Sequence, residues 1–284
     1  VGKDRVMATY RARVRARNHV AAFIKSFYRR SDMSMLELTP DFIKEFAAYL
    51  STEAGLRNGS IWANCMWLKG VVMKAHYNGL IPRNPFIQFH ISPNVKEREY
   101  LTEDELKAVM THEFADSKLA YIRDIFIFAS FTVLSFVDIQ ELTNDNIVEV
   151  NGEKWILSKR HKTKVAFQVK LLDIPLQIVE RYRPMQKDNR IFPDLNYWSI
   201  CKPLKRMIRE CGITKSISFH CSRHGFATLA LSKGMPIESV SRVLGHTNIV
   251  TTQLYAKITT QKLDNDLTMF GDKLSKTFNG ITMS

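Results

Sequence analysis

Apolar residues in the first part of the chain recur at the spacing of a helix face. Between positions 9 and 30 they lie three and four residues apart, and similar patterns start at Pro40 and near Ser60. Thr39 followed by Pro40 is typical of a helix start, because threonine caps the first turn and proline lacks only an N–H that is unpaired there. The pattern therefore predicts a helical domain with no strand.

A different pattern follows residue 100. Thr102 and Glu105 have the spacing of a capping box, which predicts a helix start. Farther on, Asn151 and Gly152 separate two short β-type runs, as expected of a tight hairpin, and a third run covers residues 165–171. This part therefore predicts a mainly helical domain with one small three-stranded antiparallel sheet.

The stretch between the two patterns has the character of a linker. Residues 92–99 contain Pro93 and charges of both signs, with no periodic apolar positions. We therefore expect a helical domain at 1–91, a linker at 92–99 and a mixed α/β domain at 100–284. The fold class is mainly α. The start at Val1 rather than Met indicates a fragment or a processed chain.

The charge of the chain favours a polyanionic partner. Lys and Arg number 41 against 28 Asp and Glu, which gives a formal net charge of +13. Alternate positions of the first predicted helix carry four arginines that could follow a phosphate backbone, although a solvated helix face is the simpler reading: Arg11, Arg13, Arg15 and Arg17. Charge alone therefore suggests nucleic acid without establishing it.

The cysteines and the hydropathy of the chain indicate in which cellular compartment the protein is found. The four cysteines form no C-x-x-C pair, and the chain has no signal peptide and no apolar run long enough to span a bilayer. We interpret them as reduced thiols of a cytoplasmic protein with no membrane partner.

The candidate catalytic residues lie in the last third of the chain. His220 and Arg223 are three residues apart, so on a helix both could donate to one phosphate. That spacing also suits an ordinary surface pair. However, residues 219–228, together with residues 243–247 and Tyr255, resemble the two signature boxes of tyrosine site-specific recombinases, the family of phage and transposon integrases.

The resemblance implies an active site and a different function for each domain. His220, Arg223 and His246 would surround a scissile phosphate, and Tyr255 would be the nucleophile. Lys162 would be the catalytic lysine of the hairpin tip between the second and third strands, with Lys159 and Lys164 as rival candidates. A basic tip could instead only touch the DNA backbone. The neighbouring Arg160 and Lys164 would contact the DNA backbone from this basic tip. The first domain would be a SAM-like core-binding domain, and the second would be catalytic, with a C-terminal tail helix.

One departure from the family pattern concerns its first box, which aligns with residues 132–138. The usual arginine position falls on Ser135, which we group with the DNA-binding residues, and Asp138 matches the acidic catalytic-box residue that follows it. Serine donates one hydrogen bond but cannot neutralise a phosphate oxygen. The chain resembles a subgroup of conjugative or mobilizable transposon integrases lacking this arginine, which implies that Arg123 supplies the cation. The alternative is an Arg123 paired with Asp124 or Asp116.

The implied activity is metal-independent cleavage and rejoining of DNA through a 3′-phosphotyrosine, without a cofactor, for integration and excision of a mobile element. The implied partners are double-stranded DNA at specific sites and an accessory DNA-bending protein. The chain would also form a homotetramer on DNA, in which the C-terminal tail of each copy docks on a neighbouring copy. The implied location is the bacterial nucleoid. Two alternatives remain: a type IB-like topoisomerase, and a non-catalytic helix-turn-helix regulator formed by residues 237–245 and 247–255.

Overall fold

The computed structural model describes residues 7–93, 99–161, 165–186, 188–246, 248–256 and 260–278, without the side chains of 260–262 and 265. The chain divides into two compact units at residues 97 and 98. Of the predicted linker, residues 94–98 lie outside the described ranges. Within these ranges, no helix combines the length and apolar character needed to cross a bilayer.

The first unit consists of three long helices. They are α1 (Met7–Phe27), α2 (Pro40–Thr52) and α3 (Asn58–Tyr77). Thr39 caps α2 through its side chain, as predicted, and four aromatic residues form the centre of the core together with aliphatic side chains: Phe23, Phe42, Phe46 and Phe86. The N-terminal half of α1 does not join this core, since Tyr10, which the periodicity assigned to the buried face, is 50% exposed.

The second unit is built around a central helix, α5 (Ser117–Thr132). The N-terminal elements are α4 (Glu103–Thr111), α5 (Ser117–Thr132) and α6 (Phe136–Gln140). The sheet follows, with β1 (Ile147–Val150), β2 (Glu153–Lys159) and β3 (Ala166–Lys170). The remaining helices are α7 (Asp173–Tyr182), α8 (Tyr197–Glu210), α9 (Cys221–Ser232), α10 (Ile237–Leu244), α11 (Val250–Gln253) and α12 (Thr260–Thr277).

Local signals predicted several of these elements correctly. Thr102 and Glu105 form the expected capping box at the start of α4. Asn151 and Gly152 both have positive φ, 53° and 77°, as a two-residue hairpin turn requires. The three strands pair in the antiparallel order β1-β2-β3. The predicted fold class, mainly helical with a small antiparallel sheet, is confirmed.

Two apolar clusters stabilise the second unit. The larger cluster is centred on α5, which carries the buried Ile125 and Phe128 and packs against α7, α8 and α9. A smaller cluster joins Val133 to buried residues of α9 and α10, and Tyr255 packs on its edge. This smaller cluster therefore connects the end of α5 with the segment that contains the predicted nucleophile.

Candidate active site

Arg223 lies in the first turn of α9, three residues after His220, which precedes the helix. Its Nη1 donates to the carbonyl oxygen of Val133 at 2.8 Å, and its Nη2 donates to the carbonyl oxygen of Leu244. Burial, followed by the charge of Arg160, lowers the pKa of Arg223 to about 10. The side chain is still a cation at neutral pH, and neither carbonyl neutralises its charge.

Val133, which accepts one of these bonds, has an unusual backbone conformation. It ends α5 at φ 60° and ψ 16°, in the left-handed region, and its side chain is fully buried. A β-branched residue is unfavourable there, at a cost of about 1–3 kcal/mol. The same carbonyl oxygen also accepts a bond of 3.3 Å from Nη1 of Arg160. Two guanidinium groups therefore share one main-chain oxygen.

Arg160 is the second cation of the site. The sequence placed it on an exposed basic tip, but its side chain is 8% exposed and faces inward. Nη1 donates to Oδ2 of Asp138 at 3.0 Å, and Nη2 donates to the carbonyl oxygen of Val243 at 2.9 Å. Arg160 does not project from the tip but lies beside Arg223, because β2 ends at Lys159 and directs the next side chain towards α10. Its contact with DNA stays a prediction.

Two neighbours fix the plane of the Arg160 guanidinium. Its Cζ lies 4.2 Å from the centre of the Phe167 ring, a cation–π contact. On another side lies Gly245, at φ 65°, where a Cβ atom would be 3.4 Å from Nε of Arg160. Glycine suits this position for two reasons, the left-handed backbone and the close approach of the arginine.

Asp138 holds the Arg160 side chain in place. Besides Arg160, it accepts bonds from the Ser135 N–H at 3.2 Å, the Ser135 hydroxyl at 2.8 Å and the His161 N–H at 2.9 Å. Burial raises the pKa of the carboxyl, but these donors outweigh burial, and the pKa is lowered. Ser135, predicted as a DNA contact, instead caps α6 and bonds to Asp138.

Two histidines flank the Tyr255 ring. The His246 ring is nearly parallel to it, with centroids 6.4 Å apart, and the His224 ring meets it edge-on at 5.0 Å. Nδ1 of His246 lies 2.8 Å from the hydroxyl of the buried Thr252. Burial, then the charges of Arg223, Arg160 and His220, lower the pKa of His246. The sequence did not identify His224, which also contacts the ring of His220 at 5.1 Å.

Arg123 does not join this cluster, contrary to the prediction. Its Nε donates to Asp124 at 2.9 Å, and its Nη1 donates to the carbonyl oxygen of His112 at 2.9 Å. Asp124 is buried and also accepts from Arg181 and Tyr182. Arg123 lies ten residues before Val133 on α5, about 15 Å along the helix axis. It therefore pairs with Asp124 in the N-terminal half of α5, as the alternative reading proposed.

Two further predicted site residues fall outside the described ranges, and four are on α1 of the first unit. Lys162 and Lys164 are outside the described residues, so their roles remain predictions. The four arginines of α1 are all exposed: Arg11, Arg13, Arg15 and Arg17. Among the described residues, no three side chains of His, Cys, Asp or Glu come together as a metal-binding group.

Comparison with known families identifies the type of protein. The model described as "Phage integrase family" matches residues 99–262, and the model described as "Phage integrase SAM-like domain" matches residues 2–91. The chain belongs to the phage integrase family. The predicted resemblance to tyrosine recombinases is thereby confirmed, whereas the transposon subgroup remains a prediction.

Individual members of the family are distant in sequence but similar in fold. Tyrosine recombinase XerA of Pyrococcus horikoshii is 32% identical over 177 residues, 57% of this chain and 58% of that protein. Tyrosine recombinase XerC of Lactobacillus leichmannii is 25% identical over 229 residues, 75% and 77% of the two chains. The integrase of transposon Tn1549, solved with circular intermediate DNA, superposes with a TM-score of 0.76 at 17% identity over 93% of this chain and 94% of that chain. The chain thus spans less than two thirds of the XerA protein.

Proposed function

We propose that this integrase-family chain is a site-specific recombinase that cleaves and rejoins DNA through a 3′-phosphotyrosine at Tyr255. One observation carries the proposal: Arg223 and Arg160 share the carbonyl oxygen of Val133, next to a tyrosine flanked by histidines. Asp138 forms an ion pair with Arg160, which offsets one of the two positive charges and leaves a net charge of one on the pair. A buried cation pair that keeps a net positive charge is suited to an anion such as a phosphodiester.

The two arginines would act on the charge that builds up during attack. As the Tyr255 oxygen bonds to phosphorus, negative charge grows on the non-bridging oxygens, and preorganised guanidinium groups stabilise it at little reorganisation cost. His220 and His246 would donate hydrogen bonds to the same oxygens. Arg160 thus supplies the second cation that the first box lacks at Ser135.

Two protons must move for the strands to exchange. Tyr255 gives its phenolic proton to water as its oxygen bonds to phosphorus, and the bond from phosphorus to the 5′ oxygen breaks. The leaving 5′ oxygen takes a proton, for which Lys162 on the hairpin is the donor in this proposal. The phosphotyrosine conserves the energy of the broken bond, so a 5′ hydroxyl can reverse the step without a nucleotide cofactor.

The proposal includes an assembly on DNA. Along α12, exposed apolar side chains recur at helical spacing: Leu263, Leu267, Phe270 and Leu274. We propose that this stripe docks on a neighbouring copy within a homotetramer bound to two recombination sites, with an accessory protein bending the DNA. We further propose that the chain integrates and excises a mobile element and is located at the bacterial nucleoid.

Two alternative functions are a helix-turn-helix regulator and a type IB-like topoisomerase. In a helix-turn-helix regulator the second helix would read bases, but α11 has four residues, little more than one turn. A type IB-like topoisomerase would use the same chemistry without exchanging partners. An assay with two DNA sites distinguishes them, because a recombinase yields exchanged products and a topoisomerase yields only relaxed ones.

The direct test is to trap the covalent intermediate. The protein is incubated with a pool of nicked random-sequence duplexes, in which the short strand beyond the cleavage site diffuses away and prevents religation. We expect a covalent protein–DNA adduct whose peptide maps to Tyr255, and the trapped DNA would give the target sequence. An adduct on a different residue, or none from any sequence in the pool, would contradict the proposal.

Lys162→Ala should slow cleavage of ordinary DNA about 100-fold or more, the range for loss of a general acid. A substrate with sulfur in place of the bridging 5′ oxygen has a leaving group that needs no proton, so the variant should cleave it at nearly the normal rate. The two rates are measured in single-turnover assays on the same sequence. If sulfur fails to restore the rate, Lys162 only positions the DNA.

The arginines of α1 should contribute affinity without sequence preference. We expect Arg13→Ala and Arg17→Ala to weaken binding to all duplexes and to flatten the dependence of affinity on salt, since each lost phosphate contact releases about one counterion fewer. Titrations over a range of salt concentrations measure the slope. Asp41→Ala, on an exposed residue of α2, is a control for surface substitution, and unchanged slopes for both arginine variants would exclude this face from the DNA contact.

A further inference from the structure

A buried threonine joins His246 to the segment that carries Tyr255. Thr252 lies on α11, and its side chain is fully buried. Its hydroxyl oxygen lies 2.8 Å from Nδ1 of His246, and its carbonyl oxygen accepts a bond of 3.0 Å from the Tyr255 N–H. One residue therefore holds the proposed nucleophile through the main chain and a proposed phosphate ligand through the side chain.

The direction of the hydrogen bond between Thr252 and His246 follows from the surroundings of the hydroxyl. A threonine hydroxyl has one hydrogen to donate, and a buried donor left unpaired is unfavourable. Within the described part of the chain, the only hydrogen-bond partner of this hydroxyl is Nδ1 of His246. The hydroxyl therefore donates, and Nδ1 accepts with its lone pair.

An acceptor at Nδ1 decides where the hydrogen of the neutral ring lies. Burial, followed by the charge of Arg223, lowers the pKa of His246, and Arg160 and His220 act in the same direction. The ring is therefore mostly neutral at neutral pH. A neutral imidazole has one N–H and one acceptor nitrogen, so the bond made by one nitrogen sets the state of the other. With Nδ1 as the acceptor, Nε2 carries the hydrogen.

We propose that Thr252 is a positioning residue that holds His246 in the tautomer and orientation needed to donate a hydrogen bond from Nε2 to the scissile phosphate. This inference rests on the proposed cleavage at Tyr255 and adds a residue to it. The opposite tautomer would leave Nε2 as an acceptor, which suits a base that takes the tyrosine proton and does not suit a ligand of a phosphate oxygen. Thr252 thus assigns His246 to the phosphate.

The same threonine fixes how the phosphate ligand and the nucleophile lie relative to each other. The rings of His246 and Tyr255 are nearly parallel, with an interplanar angle of 14°, and Thr252 contacts both residues. Without the hydroxyl the imidazole can rotate and carry Nε2 away from the phosphate, and a displacement of about 1 Å can cost up to about 100-fold in rate. Loss of the hydroxyl should therefore slow the chemical step and leave DNA binding unchanged.

The tautomer is measured directly by NMR on the full chain, with an NMR-active nitrogen isotope in histidine, because protonated and unprotonated ring nitrogens give separate signals. The signals of His246 are assigned by their absence in His246→Ala. At neutral pH we expect the parent protein to carry the hydrogen on Nε2 and none on Nδ1. The Nδ1 signal should shift in Thr252→Val, which keeps the shape of threonine without its hydroxyl. A hydrogen on Nδ1 in the parent protein would overturn the proposal.

Single-turnover cleavage of the nicked substrate provides the second test. Thr252→Val should cleave about tenfold more slowly at unchanged DNA affinity, and Thr252→Ser should restore most of the rate because it keeps the hydroxyl. Thr251→Val is the matched control, since Thr251 is exposed on the same helix, and it should cleave normally. A normal rate for Thr252→Val, no recovery in Thr252→Ser or equal slowing in Thr251→Val would refute the positioning role.

A double-mutant cycle separates positioning from a general effect on the fold. His246→Ala should itself be slow, by about 100-fold or more, as expected for loss of one donor to the oxyanion. Adding Thr252→Val to it should slow cleavage no further, because the hydroxyl acts through the ring. An additive loss in the double variant would mean that Thr252 acts on the fold and not on His246.

His246→Ala and the covalent adduct distinguish failure of this inference from failure of the proposed function. If His246→Ala is slow and Thr252→Val is normal, the proposed function stands and only the positioning role is wrong. If His246→Ala cleaves at the normal rate, His246 is not a phosphate ligand and the positioning role is refuted with that assignment. If the parent protein forms no adduct at Tyr255, the proposed function is wrong, and the inference that rests on it is wrong as well.

Discussion

Tyr255→Phe should abolish the covalent protein–DNA adduct and leave DNA affinity nearly unchanged. The substitution removes only the phenolic oxygen, and the ring can keep its contacts with His224 and His246, whose centroids lie 5.0 and 6.4 Å away. The adduct is measured as a detergent-resistant band with the nicked substrate, and affinity is measured by electrophoretic shift at fixed salt.

Tyr197→Phe is the matched control for this experiment. Tyr197 begins α8 and is 49% exposed, so the loss of its hydroxyl should leave adduct formation at the normal level. A covalent band that persists in the Tyr255→Phe protein would assign the nucleophile to another residue.

Arg160→Ala should reduce the rate of cleavage by about 100- to 1000-fold, the usual cost of removing one preorganised donor from a developing oxyanion. The loss should lie in the chemical step, so single-turnover cleavage at saturating protein is the appropriate measurement. Asp138 should remain held by Ser135 and His161, which limits the damage to the fold.

Arg123→Ala provides the matched control, because it also removes a largely buried arginine from a carboxylate. Asp124 keeps Arg181 and Tyr182 as donors, so we expect a loss of about 1–3 kcal/mol in the free energy of unfolding and nearly normal cleavage per folded molecule. If Arg123→Ala cleaves as poorly as Arg160→Ala, or if Arg160→Ala cleaves normally, the pairing of Arg160 with Arg223 is not the phosphate site.

The elements that the sequence predicted correctly depend on neighbours in the chain. The Thr39 cap, the capping box of Thr102 and Glu105, and the turn at Asn151 and Gly152 each involve residues at most a few positions apart. Interactions of this kind can be predicted from the spacing of the residues along the sequence. The family signature around Arg223 could likewise be recognised, since its residues fall in two short stretches of the chain, 219–228 and 243–255.

The second cation could not be predicted, because it depends on contacts between distant segments. Arg160 reaches Val133 across 27 residues and Val243 across 83 residues. In the sequence it is one of several cations on a hairpin, and its burial follows from where β2 ends. Arg123 had more local support, since Ile122 and Ile125 are apolar, but those neighbours pack in the core around α5, and Arg123 pairs with Asp124.

The acceptor that joins Arg160 and Arg223 belongs to the main chain, so every amino acid at position 133 would provide it. Evolution can therefore exchange the side chain there without losing the anchor, provided that the backbone remains left-handed. Glycine adopts that conformation without strain, whereas valine needs the packing of the smaller apolar cluster to retain it. The requirement at this position is a backbone shape and not a side chain, so sequence spacing alone does not reveal an anchor of this kind.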